Sequence, residues 1–139
     1  MGLLDNKVAI VTGGSRGIGE AIVRRFAAQG ATVAFTYLSS SARADALVAE
    51  LTEQGFNVKA YQSDAASFAS AEAFIAEVIK DFGGLDIVVN NAGITKDNLL
   101  LRMSEDMWDT VIDSNLKSVF NLTKHAMKHL MSKAVLSLI

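Results

Sequence analysis

A glycine-rich turn near the N-terminus sets the tightest constraint on this chain. Thr12-Gly13-Gly14-Ser15-Arg16-Gly17-Ile18-Gly19 follows the apolar run Val8-Ala9-Ile10-Val11 and opens a helical pattern. A strand that feeds such a turn into a helix gathers backbone N–H groups at one point. The positive end of the helix dipole adds attraction for an anion there. The spacing gives each glycine its own part. Gly13 allows the tight turn, Gly17 the approach of backbone to a pyrophosphate, and Gly19 the close packing of helix on strand. A glycine pattern alone is a weak signal, and it gains weight here from its strand–turn–helix context. Arg16 lies inside the loop, where a guanidinium pairs bidentately with phosphate.

Apolar β-rich runs then alternate with amphipathic helical runs, the pattern of βαβ units and a parallel sheet. Strands are expected over residues 7–12, 31–37, 57–62 and 85–90, with the apolar run 134–139 as a fifth cut short. The first helix presents Ile18, Ile22 and Phe26 on one face and ends at Gly30. The second, capped by Ser39 or Ser40, turns Ala44, Leu47, Val48 and Leu51 inward and ends at Gly55. Ser67 caps a third with Ala71, Phe74, Ile75, Val78 and Phe82 inside, closed by Gly83-Gly84. After a loop over 93–103, Ser104 caps one long helix over 105–131, with Glu105 and Asp106 in its first turn.

Right-handed crossovers order these strands 3-2-1-4(-5). The expected fold class is α/β: a three-layer, doubly wound parallel sheet in a single domain over residues 1–139, truncated before any later strands. The order reverses between strands 1 and 4, and the crevice at their carboxyl ends is where such a sheet binds ligand. Residues 13–19 and 91–93 both fall at that point, so two distant motifs converge on one predicted crevice.

Composition removes other classes. Half of the 139 residues are hydrophobic and the net charge is −2, so the chain is not a disordered one. The same balance offers no broad electrostatic footprint for nucleic acid or an anionic membrane. No apolar run approaches the roughly 20 residues of a membrane span. The N-terminus, with Asp5 and Lys7, lacks the apolar core of a signal peptide. Cysteine is absent, which removes disulfide and thiolate chemistry and fits a cytoplasmic location. No Gly-Lys-Ser/Thr is present, so the loop is not that of a P-loop NTPase. His125 and His129 stand four apart without a third ligand nearby, so a plain surface face and no metal are expected.

The spacing Thr-Gly-x-x-x-Gly-x-Gly at residues 12–19 resembles the short-chain dehydrogenase/reductase family. Asn90-Asn91-Ala92-Gly93, after the run 85–89, is similar to that family's second motif, Asp64 to a third, and Asn115 in Ser114-Asn115-Leu116 to a fourth. The four stand in the family's order across nearly the whole chain. The run from Asn90 to Leu100 resembles the branch that reduces 3-oxoacyl-[acyl-carrier-protein] with NADPH in fatty-acid synthesis. The resemblance implies a Rossmann-like fold and cofactor contacts at Gly13, Ser15, Arg16, Gly17, Ile18, Gly19, Leu38, Asp64, Ala65, Asn91, Ala92 and Gly93. It implies that Asp64 accepts a hydrogen bond from the adenine amino group and that Asn91 lies under the nicotinamide ribose. Asn115, the one retained member of the catalytic set, would hold a relay water on its main chain. An acyl-carrier-protein thioester as substrate and a homo-oligomeric state are further implications. Asp64 can also be read as a turn residue before Ser67, and residues 91–93 as only a turn after a strand.

The second strand ends Thr36-Tyr37-Leu38-Ser39-Ser40, with hydroxyls and no acid. An acid there would bind a ribose diol and repel a 2′-phosphate. Its absence, with Arg16 and the nearby Arg43, favours NADP(H) over NAD(H). The family's Tyr-x-x-x-Lys proton donor is missing: four residues after Tyr37 stands Ser41, and four after Tyr61 stands Ala65. Its catalytic serine is missing too. Three expectations follow. The chain is the cofactor-binding part of an NADP-dependent reductase, inactive alone; or a non-catalytic nucleotide-binding or subunit-interaction module; or a truncated product without function of its own. Met107, Trp108, Val111, Val119 and Phe120 on the last helix predict association or aggregation.

Overall fold

A computed structural model describes residues 2–91, 104–130 and 136–137. Five parallel strands lie in the order β3-β2-β1-β4-β5: β1 (Val8–Val11), β2 (Thr32–Tyr37), β3 (Val58–Gln62), β4 (Ile87–Asn90) and β5 (Leu136–Ser137). Register pairs Ile10 with Ala34 on one side and with Val88 on the other. The helices are α1 (Gly17–Ala28), α2 (Ser41–Glu53), α3 (Phe68–Phe82), α4 (Glu105–Ile112) and α5 (Ser118–Leu130). No helix among the described residues is long and apolar enough to cross a membrane.

The central strands are apolar on both faces because helices cover both. Ala9, Val11, Val33, Phe35 and Val89 pack with Val23, Ala27, Leu47 and Leu51 of α1 and α2. Their alternating neighbours Ile10, Ala34 and Val88 pack with Phe74, Ile75 and Val78 of α3 and Leu122 and Ala126 of α5. This is the expected three-layer, doubly wound arrangement.

Helix ends follow the sequence signals closely. Ser67 Oγ accepts the Ser70 N–H at 3.2 Å, and Gly83, left-handed at φ +79°, donates its N–H to the Ile79 carbonyl at 2.8 Å. Ser104 Oγ accepts the Met107 N–H at 3.1 Å. In the last turn of α3, Asp81 takes hydrogen bonds from Lys59 Nζ (2.6 Å) and Tyr61 Oη (2.7 Å), which fasten the helix to the outer strand β3. The Lys59 and Tyr61 bonds hold the Asp81 carboxyl below the usual carboxylate range, while burial and the Asp81 bond push the Tyr61 phenol up.

Three expectations are corrected. Ile22 and Phe26 pack partly buried against the core as expected, but Ile18 does not, and the fully buried stripe of α1 is Gly19, Val23 and Ala27. Two of the three are small, so the helix lies close on the sheet and its larger neighbours flank the contact; Ile18 is 70% exposed. Ser40 occupies the N-cap of α2, but its hydroxyl makes no capping bond. The single long helix over 105–131 is divided into α4 and α5 by a π-helical turn, Asp113–Lys117. Within that turn the Asn115 carbonyl accepts the Ser118 hydroxyl at 3.0 Å, a side-chain donor competing for a backbone acceptor. The expected loop over 93–103 and most of the expected fifth strand lie outside the described residues.

Candidate functional site

The glycine turn is held open by its neighbours. Gly13, at φ +67°, donates its N–H to Thr36 Oγ1 (3.0 Å), and Gly14 donates to the Thr36 carbonyl (3.0 Å), so both amides are spent on β2. The helix behind the turn is different. Arg16 is the N-cap of α1 in an extended conformation, and its side chain caps nothing. The first N–H groups of any helix lack intrahelical partners, and here they stand at the dipole's positive end without a side-chain cap. Gly17 fronts them with φ +60°, and a Cβ built on it meets nothing within 4 Å. Backbone amides and open space therefore coincide where an anion would sit.

The close packing expected at Gly19 is shared with a second glycine. A Cβ on Gly14 would lie 2.6 Å from Phe35 Cβ and 2.8 Å from Val23 Cγ2, so Gly14 brings the turn against β2 and α1. A Cβ on Gly19 would instead run into the Gly13 carbonyl and lie 2.6 Å from Asn91 Nδ2. Gly19 packs the helix against the loop and the end of β4. The Gly-Gly pair at 13–14 was the only sequence signal for this, and spacing alone does not separate the two functions.

A cleft of about 490 Å³ opens at the carboxyl ends of β1, β2 and β3, beside the point where strand order reverses. Gly13, Ser15, Arg16, Gly17, Leu38, Asp64, Ala65 and Asn91 line it, eight of the residues singled out in the sequence. Thr36, Ser39, Ser40, Ser63 and Ala66 complete its wall. Of the others, Gly19 is buried behind the loop and Ile18 projects into solvent at its rim. Ala92 and Gly93 lie outside the described residues. Asn115 sits in the π turn and is not part of the described cleft wall. Thr36 and Ser63 were legible only as polar residues at or just past the ends of otherwise β-rich runs.

Asn91 ties the two motifs together. Its N–H donates to Thr12 Oγ1 (3.0 Å), and its Nδ2 donates to the Gly13 carbonyl (3.2 Å). Asp64 is both a cleft residue and a turn residue: its Oδ1 accepts the Ala66 N–H at 2.9 Å and its carbonyl accepts the Ser67 N–H at 3.0 Å. Arg43, expected near a phosphate, is not in the cleft wall. It leans on Glu20 at 3.7 Å, in a network where Glu20 also takes Arg24 Nε (3.0 Å). This leaves Arg16 as the cation of the cleft wall, with no acid at the end of β2.

His125 departs from the plain surface face expected of it. Its side chain is 14% exposed, stacks edge-on against Phe68 with ring centroids 4.4 Å apart, and places Nδ1 3.9 Å from Glu72. It is a packing residue between α5 and α3, which explains why spacing on one helix misjudged it. Among the described residues no three candidate metal ligands lie together.

The family described as short chain dehydrogenase matches residues 7–138. The 3-oxoacyl-[acyl-carrier-protein] reductase FabG of Staphylococcus aureus (strain Mu50) is 49% identical over 120 residues, which cover 86% of this chain and 49% of that protein. FabG of Escherichia coli (strain K12) is 44% identical over 129 residues, covering 93% and 51%. The chain thus spans about half the length of the curated relatives it matches. Among solved structures, a short chain dehydrogenase from Burkholderia cenocepacia J2315 in complex with NADP superposes with a TM-score of 0.87 at 43% identity, over 91% of this chain and 52% of that one. A blue fluorescent protein from a metagenomic library, in complex with NADPH, gives 0.89 at 39% identity, over 96% and 56%.

Proposed function

This chain belongs to the short-chain dehydrogenase family, and from that premise we propose that its cleft holds NADP(H) for the reduction of a 3-oxoacyl thioester carried on acyl carrier protein. The observation that carries the cofactor is the uncapped N-terminus of α1 behind Arg16, facing a cleft with no acid at the end of β2. The residues present fit the group. Gly17 leaves the amides of α1 accessible to a pyrophosphate. Arg16 and the hydroxyls of Ser39 and Ser40 offer a 2′-phosphate a cation and donors. Leu38, 64% exposed, and Ala65 offer apolar surface to a base, and Asp64 an acceptor to its amino group. Asn91 keeps the loop and the end of β4 in one frame beneath the ribose position. When bound, the nicotinamide supplies the hydride. The substrate class rests on the likeness to the two FabG proteins.

Calorimetry with NADPH and NADH tests the cofactor. NADPH is expected to bind more tightly. Loss of a charged hydrogen bond costs about 1.5–3 kcal/mol, so Arg16→Ala should weaken NADPH by about 10- to 100-fold and leave NADH nearly unchanged. Equal affinities in the unaltered chain, or tighter NADH, would overturn the choice of cofactor.

The helical pair α4–α5 supports self-association. Trp108 of α4, Leu116 of the π turn, and Phe120 and Met127 of α5 are each more than half exposed, while α5 buries Leu122, Ala126 and Leu130. Exposed apolar surface of this kind marks an interface, and we assign it to a second copy of this chain. Light scattering after size exclusion should show a dimer or larger species, and Phe120→Glu should shift it toward monomer. A monodisperse monomer for the unaltered chain would overturn this assignment.

A further inference from the structure

The Asp64 wall of the cleft is fastened from α5, by a residue outside all four family-like motifs. Asn121 is fully buried. Its Nδ2 donates to the Ala65 carbonyl at 3.2 Å, while its Oδ1 is buried with no hydrogen-bond partner among the described residues. A buried amide with an unmade bond is costly, and an aliphatic side chain of similar volume suits a core built of residues such as Leu122 and Ala126 better. Stability alone therefore does not explain an amide at this position; the one bond it makes does.

That bond acts on a single rigid unit. The Ala65 carbonyl and the Ala66 N–H belong to the same planar peptide and point in opposite directions. Asn121 holds the carbonyl end, and the N–H end donates to Asp64 Oδ1 at 2.9 Å. The peptide cannot turn about its axis while both bonds stand. With the peptide fixed, the Asp64 carboxylate is fixed at the cleft wall. The other side of the turn is closed by the Ser67 N–H on the Asp64 carbonyl at 3.0 Å, and among the described residues Asn121 supplies its hydrogen bond to α5.

We propose that Asn121 is a positioning residue for recognition of the nucleotide base: through the Ala65–Ala66 peptide it orients the Asp64 carboxylate to accept a hydrogen bond from an exocyclic amino group. The proposal rests on the reading of the cleft as a nucleotide site. It assigns α5 a part in the cleft that its position in the sequence does not suggest, since Asn121 is 56 residues from Ala65.

The test compares NADPH with its hypoxanthine analogue, which carries a carbonyl in place of the amino group. Both are titrated by calorimetry into the unaltered chain, Asn121→Leu, Asp64→Ala and the double variant. The unaltered chain should prefer NADPH by about 10-fold, the worth of one charged hydrogen bond. Each single variant should bring that ratio close to one, and the double variant should lower it no further, because both changes break the same unit. A merely structural role for Asn121 would weaken both nucleotides equally and leave the ratio intact; that outcome in a folded variant overturns the proposal. Asn121→Ala, which leaves space rather than strain, serves the same purpose if the leucine variant does not fold. A ratio near one in the unaltered chain also overturns it, while the cofactor reading survives. Failure of the unaltered chain to bind NADPH at all overturns the cofactor reading itself, before any variant is made.

Discussion

Gly19→Ala is expected to abolish measurable NADPH binding while Gly17→Ala only weakens it. The two glycines stand two residues apart in one loop, and the difference lies in what surrounds them. A methyl on Gly19 is driven into the Gly13 carbonyl and to 2.6 Å from Asn91 Nδ2. Neither neighbour is free to yield. Gly13 is held through its N–H by Thr36 and through its carbonyl by Asn91, and Asn91 is held through its own N–H by Thr12. Overpacking of this kind costs about 1–3 kcal/mol, and relief requires α1 to move away from the loop whose amides it presents. A binding loss of at least about 100-fold follows if roughly 3 kcal/mol of the pre-formed geometry is forfeited. On Gly17 a methyl meets no protein atom, so the loop itself bears only the penalty of a left-handed residue, about 1–2 kcal/mol, and the methyl takes room from the pyrophosphate without displacing α1. Gly14→Ala should fall most heavily on stability, because its contacts are the core side chains Phe35 and Val23. Calorimetry and thermal melting on the three variants give the ordering. Near-normal affinity in Gly19→Ala would show that the loop has slack, and would remove the argument that Asn91 and Thr36 hold it in place.

The sheet was legible in the sequence because its signals are redundant. Apolar runs, helix periodicity and glycine stops all marked the same elements, right-handed crossovers then ordered the strands 3-2-1-4(-5), and a residue or two of error at a strand end changes nothing in the topology. The site was legible where a motif is local: Gly13 to Gly17, Asp64 and Asn91 meet at one cleft as the crossover rule requires. What escaped was decided by tertiary contact. Ile18, Ile22 and Phe26 make a plausible helical stripe, but the small residues Gly19 and Ala27 let the helix come closer when the face is turned by one residue. Periodicity ranks residues by hydrophobicity and cannot see that a smaller side chain permits a better contact. Asn115 in mid-helix hinted at irregularity, yet only the backbone shows that the helix widens to a π turn around it. Arg43 was judged by its distance along the chain, and Glu20 on another helix decides where it points. Asn121 gave no signal at all, because a lone polar residue in an amphipathic helix reads as surface.

No measurable NADPH oxidation is expected from these 139 residues with acetoacetyl thioester as substrate. Reduction of a ketone needs a hydride on carbon and a proton on oxygen, and the proton must come from a group within hydrogen-bond reach and with a pKa near the working pH. The two tyrosines do not supply it. Tyr61 is buried, donates to Asp81 at 2.7 Å, and has its phenol pushed up by burial and by that carboxylate, the reverse of what a donor needs. Tyr37 packs against the α1–α2 side of the core. Neither is followed four residues later by a lysine: Ser41 and Ala65 stand there. His125 is packed against Phe68 beside Glu72, away from the described cleft wall. Asp64 is engaged in its turn with Ala66. Proton donation of this kind contributes roughly 10²–10⁴ in rate, so a typical turnover of about 10 s⁻¹ should fall below about 0.1 s⁻¹ on that account alone. Following the absorbance of the reduced nicotinamide at saturating NADPH decides the matter once calorimetry has shown that the nucleotide is bound. Binding without turnover supports a nucleotide-binding unit that needs a proton donor from elsewhere. Turnover near about 10 s⁻¹ would mean that a residue of this chain supplies the proton. The pH dependence of kcat would then give that donor's pKa and a first clue to its identity.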